Sequence, residues 1–325
     1  MHSKIKGFLY VALTSLGAAC ALTAAHAQTY PAKPVRMVVG FPAGGSADIV
    51  GRVMAQKMSE NMGQQVLVDN RPGASGNIAW EFTARAEPDG YTIVNATPGI
   101  ATNLGLYRKV NYRLEDFTPI MHVGEAPLLI MVHPTLPVTS ITDLAKLAKA
   151  KPGAVRYGSA GAGSSSHLAS EVFRLMAGVD ILHVPYKGAA APMQDVMSGQ
   201  IEMTSVPIAE SIQHVRAKRL KALGQTGSKR STIAADIPTL DEAGIRGYNV
   251  ATWYVVFGPA KMPREIVARI HSELDKALKD PQILERYNTM GVNITASSQE
   301  QAVKFVQSEH ARWAKIIKAS GMKAD

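Results

Sequence analysis

Cysteine is almost absent from this chain. Cys20 is the only cysteine among 325 residues, and it falls inside a segment with the pattern of an export signal. If the chain is cleaved after Ala27, the mature protein has no disulfide, no free thiol and no cysteine ligand for a metal. A hydrophobic core must then hold the fold together in an oxidising compartment. The residues Gly17–Ala19 match a lipid-attachment box poorly, so a lipoprotein is a minor alternative.

Long hydrophobic runs are also missing after the first 27 residues, where no segment approaches the roughly 20 apolar residues that a membrane span needs. At the N-terminus, Lys4 and Lys6 precede the apolar or small stretch Gly7–Ala24, and Ala25–Ala27 is a small-x-small cleavage site. We therefore predict a cleavable signal peptide over residues 1–27 and a periplasmic mature protein. An uncleaved anchor is disfavoured because Gly, Ala and Thr dilute the apolar stretch.

Several chemical signatures are missing as well. The nine histidines are scattered, with no His-Glu-x-x-His pair. The pattern Gly161-Ala-Gly163 is followed by three serines where a dinucleotide fingerprint needs a third glycine. The net charge of +9 falls to +7 without Lys4 and Lys6, yet no run of Lys and Arg alternates with aromatics. We predict no metal, no cofactor and no nucleic-acid partner, and expect the positive field to attract anionic solutes.

Two glycine- and serine-rich loops are the most informative feature present. The first, Phe41–Asp48, and the second, Gly158–His167, each follow a short apolar run and precede a helical pattern. Backbone N–H groups at a helix N-terminus bind anions, and open α/β sheets bind ligands past the carboxyl ends of their strands. The loops therefore predict two halves of one site for a negatively charged ligand.

Each loop offers named candidates. In the first loop, Gly44 and Gly45 allow close backbone approach and Ser46 offers a hydroxyl, while Asp48 is expected to cap the helix or to accept a hydrogen bond from the ligand. The second loop crowds small and hydroxyl residues into ten positions, namely Ser159, Gly161, Gly163, Ser164, Ser165 and Ser166.

A catalytic alternative stays open for the second loop. An exported hydrolase could pair Ser164, Ser165 or Ser166 with His167. Neither a Gly-x-Ser-x-Gly elbow nor an orienting carboxylate is evident, so a capping or packing role for His167 is preferred and no catalytic residue is assigned.

Two further sets of residues have competing interpretations. After a strand, either Tyr186 flanks a planar ligand and Lys187 attracts a carboxylate, or the two form a surface turn with a solvated lysine. Tyr186 is kept as a candidate. For Trp253 and Tyr254, core packing is favoured over ligand contact.

The order of elements predicts two α/β units. In the first, strands at Val35–Val39, Gln65–Asp69 and Tyr91–Asn95 alternate with helices at Ile49–Met62 and 78–86. After the run Phe117–His133, a second unit has a helix entry at 138–144 capped by Ser140 or Thr139, strands at 155–158, 182–186 and 201–206, and helices at 168–177 and 191–198. The apolar stretch 251–258 then leads to helices at 263–279 and 299–319, expected to return to the first unit. Such spacing indicates parallel sheets with helices on both faces.

Four ordered motifs resemble those of the Bug/TctC family, the periplasmic solute-binding receptors of tripartite tricarboxylate transporters. The motifs are Val39–Arg52, Asn70–Ile78, Tyr157–Leu168 and His183–Gly188, and the resemblance covers essentially the whole mature chain. It implies a two-domain type II periplasmic-binding-protein fold, with domain I over 28–127 and 247–325, domain II over 128–246, and a ligand cleft between the domains.

The resemblance also implies the ligand site and the partners. It assigns carboxylate binding to Phe41, Gly44, Gly45, Ser46 and Asp48 on one side and to Ser159, Ala160, Gly161, Ser164 and Ser165 on the other. The function implied is that of a non-enzymatic monomer that captures a small organic carboxylate and delivers it to a membrane permease, with a sensor protein as a second compatible partner. Val206 stands where relatives often carry a polar residue, so that end of the pocket is expected to be less polar.

Overall fold

The computed structural model describes residues 30–324, so the predicted signal peptide and Cys20 lie outside the described residues. Residues 33–324 belong to one compact unit. Within residues 30–324, no helix combines the length and the apolar character needed to cross a membrane.

The first α/β group confirms the strand and helix alternation expected after Val35. Its elements are β1 (Val35–Val39), α1 (Ser46–Met62), β2 (Val66–Asn70), α2 (Asn77–Ala84), β3 (Thr92–Ala96) and α3 (Gly99–Leu106). Strand β1 pairs in parallel with both β2 and β3, so the carboxyl ends of the three strands lie at one edge. Helix α1 ends at Gly63, whose φ of 64° is the left-handed conformation common at helix C-termini.

The second α/β group repeats this arrangement. It comprises β4 (Phe117–Val132), α4 (Ile141–Ala150), β5 (Val155–Ser159), α5 (Ser165–Ala177), β6 (Ile181–Pro185), α6 (Ala190–Met197), β7 (Met203–Pro207), α7 (Ile208–Arg216) and β8 (Lys221–Gln225). Strand β5 pairs in parallel with β6 and β7. Ser140 is the N-cap of α4, because its hydroxyl accepts the Asp143 N–H at 3.1 Å.

Long antiparallel strands join the two groups into one sheet. The remaining elements are β9 (Ala251–Pro259), α8 (Arg264–Lys279), α9 (Pro281–Thr289), β10 (Asn293–Ile294) and α10 (Gln299–Ser320). The first part of β4, Phe117–Pro127, pairs with β9, and its last part, Leu128–Val132, pairs with β7. The strand order is β2-β1-β3-β9-β4-β7-β5-β6, with β8 and β10 also paired to β4.

Helix α10 packs on the cores of both groups. Val306 joins the cluster around Trp253, which belongs to the first group, whereas Trp313 and Ile317 join the cluster of the second. The expectation that the last helix returns to the first unit is therefore confirmed, and the helix also covers the second. Trp253 is 2% exposed and Tyr254 is fully buried, which confirms core packing. The residue limits of the two domains stay a prediction.

Candidate functional site

A cavity of about 260 Å³ lies where the two loops and the turn after β6 meet. Seven of the predicted site residues line it, namely Phe41, Gly44, Gly45, Ser46, Ala160, Ser164 and Ser165. Ser46 and Ser165, the first residues of α1 and α5, both line the cavity, so two helix N-termini face the same space. Lining residues that were not among the predicted site residues include Lys187, Gly188, Glu210 and Thr252.

Asp48 supports the first loop from inside the protein. The Gly44 N–H and the Arg52 Nε each donate to its Oδ2 at 2.9 Å, and Asn70 Nδ2 donates to its Oδ1 at 2.8 Å. The side chain is only 2% exposed. Burial alone would raise the pKa of Asp48, but the hydrogen bonds from Arg52, Gly44 and Asn70 outweigh it and lower the pKa. The carboxylate thus fixes the loop and lies outside the cavity lining.

The second loop is shaped by a glycine and a helix cap. Ser164 is the N-cap of α5, and its hydroxyl accepts the His167 N–H at 3.3 Å. Gly163 adopts a φ of +88°, and a Cβ there would lie 2.0 Å from Asn103 Oδ1. Ser165 Oγ donates to Thr252 Oγ1 at 2.9 Å, which ties the start of α5 to β9. The loop is therefore held by contacts to elements from both groups.

Three more of the predicted residues lie outside the cavity lining, namely Ser159, Gly161 and Tyr186. Ser159 is fully buried, and its hydroxyl is 2.6 Å from His183 Nε2 and accepts the Gly161 N–H at 3.2 Å. The Tyr186 hydroxyl donates to Asp195 Oδ2 at 2.5 Å, and burial first, then the hydrogen bond and the charge of Asp195, raise the pKa of Tyr186 to about 12. Ligand contact by these three residues stays a prediction. In the structure, their hydrogen bonds stabilise the second loop and the turn after β6.

His167 is engaged in packing. Its ring stacks on His183 at a centroid distance of 4.2 Å and lies 6.4 Å from Tyr157. Its Nδ1 accepts the Gly163 N–H at 3.0 Å, and burial lowers the pKa of His167 to about 4. Over residues 30–324, no hydrogen bond joins this ring to a hydroxyl of the three serines before it. The geometry therefore does not pair His167 with Ser164, Ser165 or Ser166 as a nucleophile and its base.

Glu210 is a charged residue of the cavity lining that the sequence did not predict. It follows β7 in α7, and its Oε1 accepts the Ser46 N–H at 2.7 Å across 164 residues of sequence. Burial raises the pKa of Glu210, although the backbone N–H and hydroxyl of Ser46 oppose the shift. Val206 is buried in the core and outside the cavity lining, whereas Glu210 lines the cavity, and the expectation of a less polar end than in relatives stays a prediction. No local motif marks such a long-range contact.

The fold and the cavity together define a class, the two-domain α/β proteins that hold a small solute between helix N-termini. The family described as the tripartite tricarboxylate transporter family receptor, TctC, matches residues 50–322. The chain belongs to this TctC/Bug family.

Solved structures of the same family are similar over nearly their whole length. The chain is 36% identical to Rpa4515 of R. palustris with adipate, with a TM-score of 0.86 and coverage of 90% of this chain and 99% of that one. It is 32% identical to the periplasmic binding protein BugD, with a TM-score of 0.84 and coverage of 90% and 99%. It is 27% identical to MatC from Rhodopseudomonas palustris with bound malate, with a TM-score of 0.83 and coverage of 89% and 100%. The type II periplasmic-binding-protein fold is thereby confirmed.

Proposed function

We propose that the protein is an exported receptor that binds a small organic carboxylate in the cavity and delivers it to a tripartite tricarboxylate-type permease. The observation that carries the proposal is the meeting of two helix N-termini at one small cavity. The first N–H groups of a helix have no partner within the helix, and the helix dipole favours an anion there. Rpa4515 is described with adipate and MatC with malate, and both ligands are carboxylates.

Binding would be coupled to closure of the cleft. A ligand that touches both loops only in the closed form shifts the population toward that form by its difference in affinity. The receptor we propose is a periplasmic monomer without enzymatic activity. Its closed form would be the state that the permease recognises, and a sensor protein could recognise the same state.

A binding screen of the mature protein tests this function. The panel should hold matched monocarboxylates, dicarboxylates and amino acids, with neutral amides as negative controls. A ligand present at 100 times its dissociation constant adds about 2.7 kcal/mol to the free energy of unfolding, which thermal unfolding detects readily. Titration calorimetry then gives the dissociation constant.

A pair of substitutions ties binding to this cavity. Ala160 lines the cavity and is partly exposed, so Ala160→Trp should fill the site without disturbing the core. We expect at least a tenfold loss of affinity. The matched control is Ala154→Trp, on the exposed turn before β5, which should bind like the parent protein. The proposal is refuted if no carboxylate binds saturably, or if both variants bind equally well.

A further inference from the structure

The two helix N-termini at the cavity differ in charge. The first turn of α1 contains Asp48, and its Ser46 N–H is already taken by the Glu210 carboxylate. The first turn of α5 contains no acidic residue. Among residues 30–324, no side-chain or backbone acceptor contacts the N–H groups of Ser165 and Ser166, which line the cavity. An incoming carboxylate therefore meets a helix N-terminus without an acidic residue at α5 and one that already holds the Glu210 carboxylate at α1.

Lys187 adds positive charge near the second loop. It stands in the turn after β6, next to Gly188, whose N–H donates to the Ala160 carbonyl at 3.3 Å. Lys187 is exposed and lines the cavity. The cavity lining thus contains a cationic side chain and a helix N-terminus without an acidic residue, as well as the Glu210 carboxylate at its contact with the first loop.

Glu210 itself favours a cationic neighbour. The Ser46 N–H and the N-terminus of α1 favour its ionised form. Burial nevertheless raises the pKa of Glu210, so a cation beside it would offset the cost of burying the charge. A buried carboxylate is stabilised by an opposite charge within hydrogen-bonding distance. A second carboxylate placed beside it would repel it, because like charges that share a site cannot both ionise without cost.

We propose, on the basis of the function proposed above, that Glu210 determines specificity by selecting solutes that carry an ammonium group as well as a carboxylate. The carboxylate binds at the N-terminus of α5, and the ammonium group faces Glu210. The preferred ligands are amino-acid-like zwitterions. Dicarboxylates of the adipate type, with which the relative Rpa4515 is described, are disfavoured.

Matched probes isolate the group that faces Glu210. Hexanoate, adipate and 6-aminohexanoate share one carboxylate and differ only at the far end, and butanoate, succinate and 4-aminobutanoate repeat the comparison at a shorter length. L-norleucine places the ammonium group beside the carboxylate. We expect at least one amino compound to bind at least tenfold more tightly than its dicarboxylate partner, as measured by titration calorimetry at pH 7.5.

Variants at position 210 then assign the preference. Glu210→Gln keeps an oxygen that can accept the Ser46 N–H but removes the charge, so it should reduce the preference for the amino compound at least tenfold. Glu210→Asp retains the charge and should restore part of the preference. The control is Glu60→Gln, at an exposed carboxylate near the end of α1, which should leave the preference unchanged. Thermal unfolding of each variant verifies that it is folded.

Three outcomes would overturn the proposal. If hexanoate or adipate binds and Glu210→Gln leaves the ratios unchanged, the receptor function stands and the role of Glu210 falls. If adipate binds more tightly at pH 5 than at pH 7.5 in the parent protein alone, Glu210 acts as a protonated donor to a second carboxylate, contrary to the proposal. If no probe and no member of the wider carboxylate panel binds, the receptor function itself fails and the proposal with it.

Discussion

Replacing Gly163 with alanine should destabilise the protein strongly, because the second loop needs both a left-handed backbone and an empty Cβ position there. The φ of Gly163 is +88°, and a Cβ would lie 2.0 Å from Asn103 Oδ1 and 3.3 Å from Leu106 Cδ1. The left-handed conformation costs a non-glycine residue roughly 1–2 kcal/mol, and overpacking a tight site adds roughly 1–3 kcal/mol. We expect Gly163→Ala to lower the free energy of unfolding by about 2–5 kcal/mol.

Urea unfolding of the mature protein measures this effect, and Gly178→Ala is the matched control. Gly178 also has a positive φ, of +60°, but a Cβ there meets nothing within 4 Å. The control should therefore lose only the backbone contribution, roughly 1–2 kcal/mol. If the two variants differ by less than about 0.5 kcal/mol, within the usual error of additivity, the contact with Asn103 does not constrain the loop.

A double-mutant cycle separates the clash from the backbone strain. Asn103 is fully buried, and its Nδ2 donates to Asn77 Oδ1 at 2.8 Å, so Asn103→Ala is itself costly. If the clash is real, Asn103→Ala removes the atom that the new Cβ meets. The double variant should then be more stable than the sum of the single effects predicts, by about 1 kcal/mol or more.

Two further predictions concern stability. Burial lowers the pKa of both His122 and His167 to about 4, so the unfolded chain binds more protons than the folded protein between about pH 6.5 and pH 4. Protonation of each of these histidines should therefore lower the free energy of unfolding by up to roughly 3 kcal/mol as the pH falls through this window. His167→Asn should flatten the pH dependence of the urea midpoint, whereas the surface variant His133→Gln should not. The assignment would be contradicted if the urea midpoints of the two variants changed equally with pH. Asp48→Asn should lower the free energy of unfolding at pH 7 by about 1.5–3 kcal/mol, because the charge is lost from a carboxylate whose Oδ2 accepts hydrogen bonds from the Gly44 N–H and the Arg52 Nε. Glu60→Gln, with an exposed ion pair, should change it by less than about 1 kcal/mol, and the same small effect for Asp48→Asn would show that this carboxylate does not brace the first loop.

Local sequence signals predicted the strands and helices that carry their own periodicity. The parallel strands of both groups, the cap at Ser140 and the long helix α10 follow from apolar spacing and from capping chemistry. Helices α3, α7 and α9 were missed. Helix α3 is only eight residues long, and its mostly apolar or small residues are largely buried, so it shows no amphipathic pattern. Helix α7 follows Pro207 directly, without a side-chain cap.

The site was predicted as far as its residues are contiguous in sequence. A loop that places a glycine and a serine before a helix indicates hydrogen-bond donors at the helix N-terminus. Seven of the predicted residues line the cavity. The support behind the loops depends on contacts between distant strands. Ser159 lies against His183 because β5 and β6 are neighbours in the sheet, and no spacing in the sequence shows that pairing.

The difference between the two loops is also a property of the folded chain. In sequence, both read as equivalent anion sites at the start of a helix. Folding brings α7 to the first loop, and the Glu210 carboxylate then accepts the Ser46 N–H. A helix N-terminus that has received an internal anion attracts a second one less strongly, because the partial positive charge is already compensated. The same cavity therefore has one end suited to a carboxylate and another suited to a cation, and a solute can satisfy both ends only if it carries both charges.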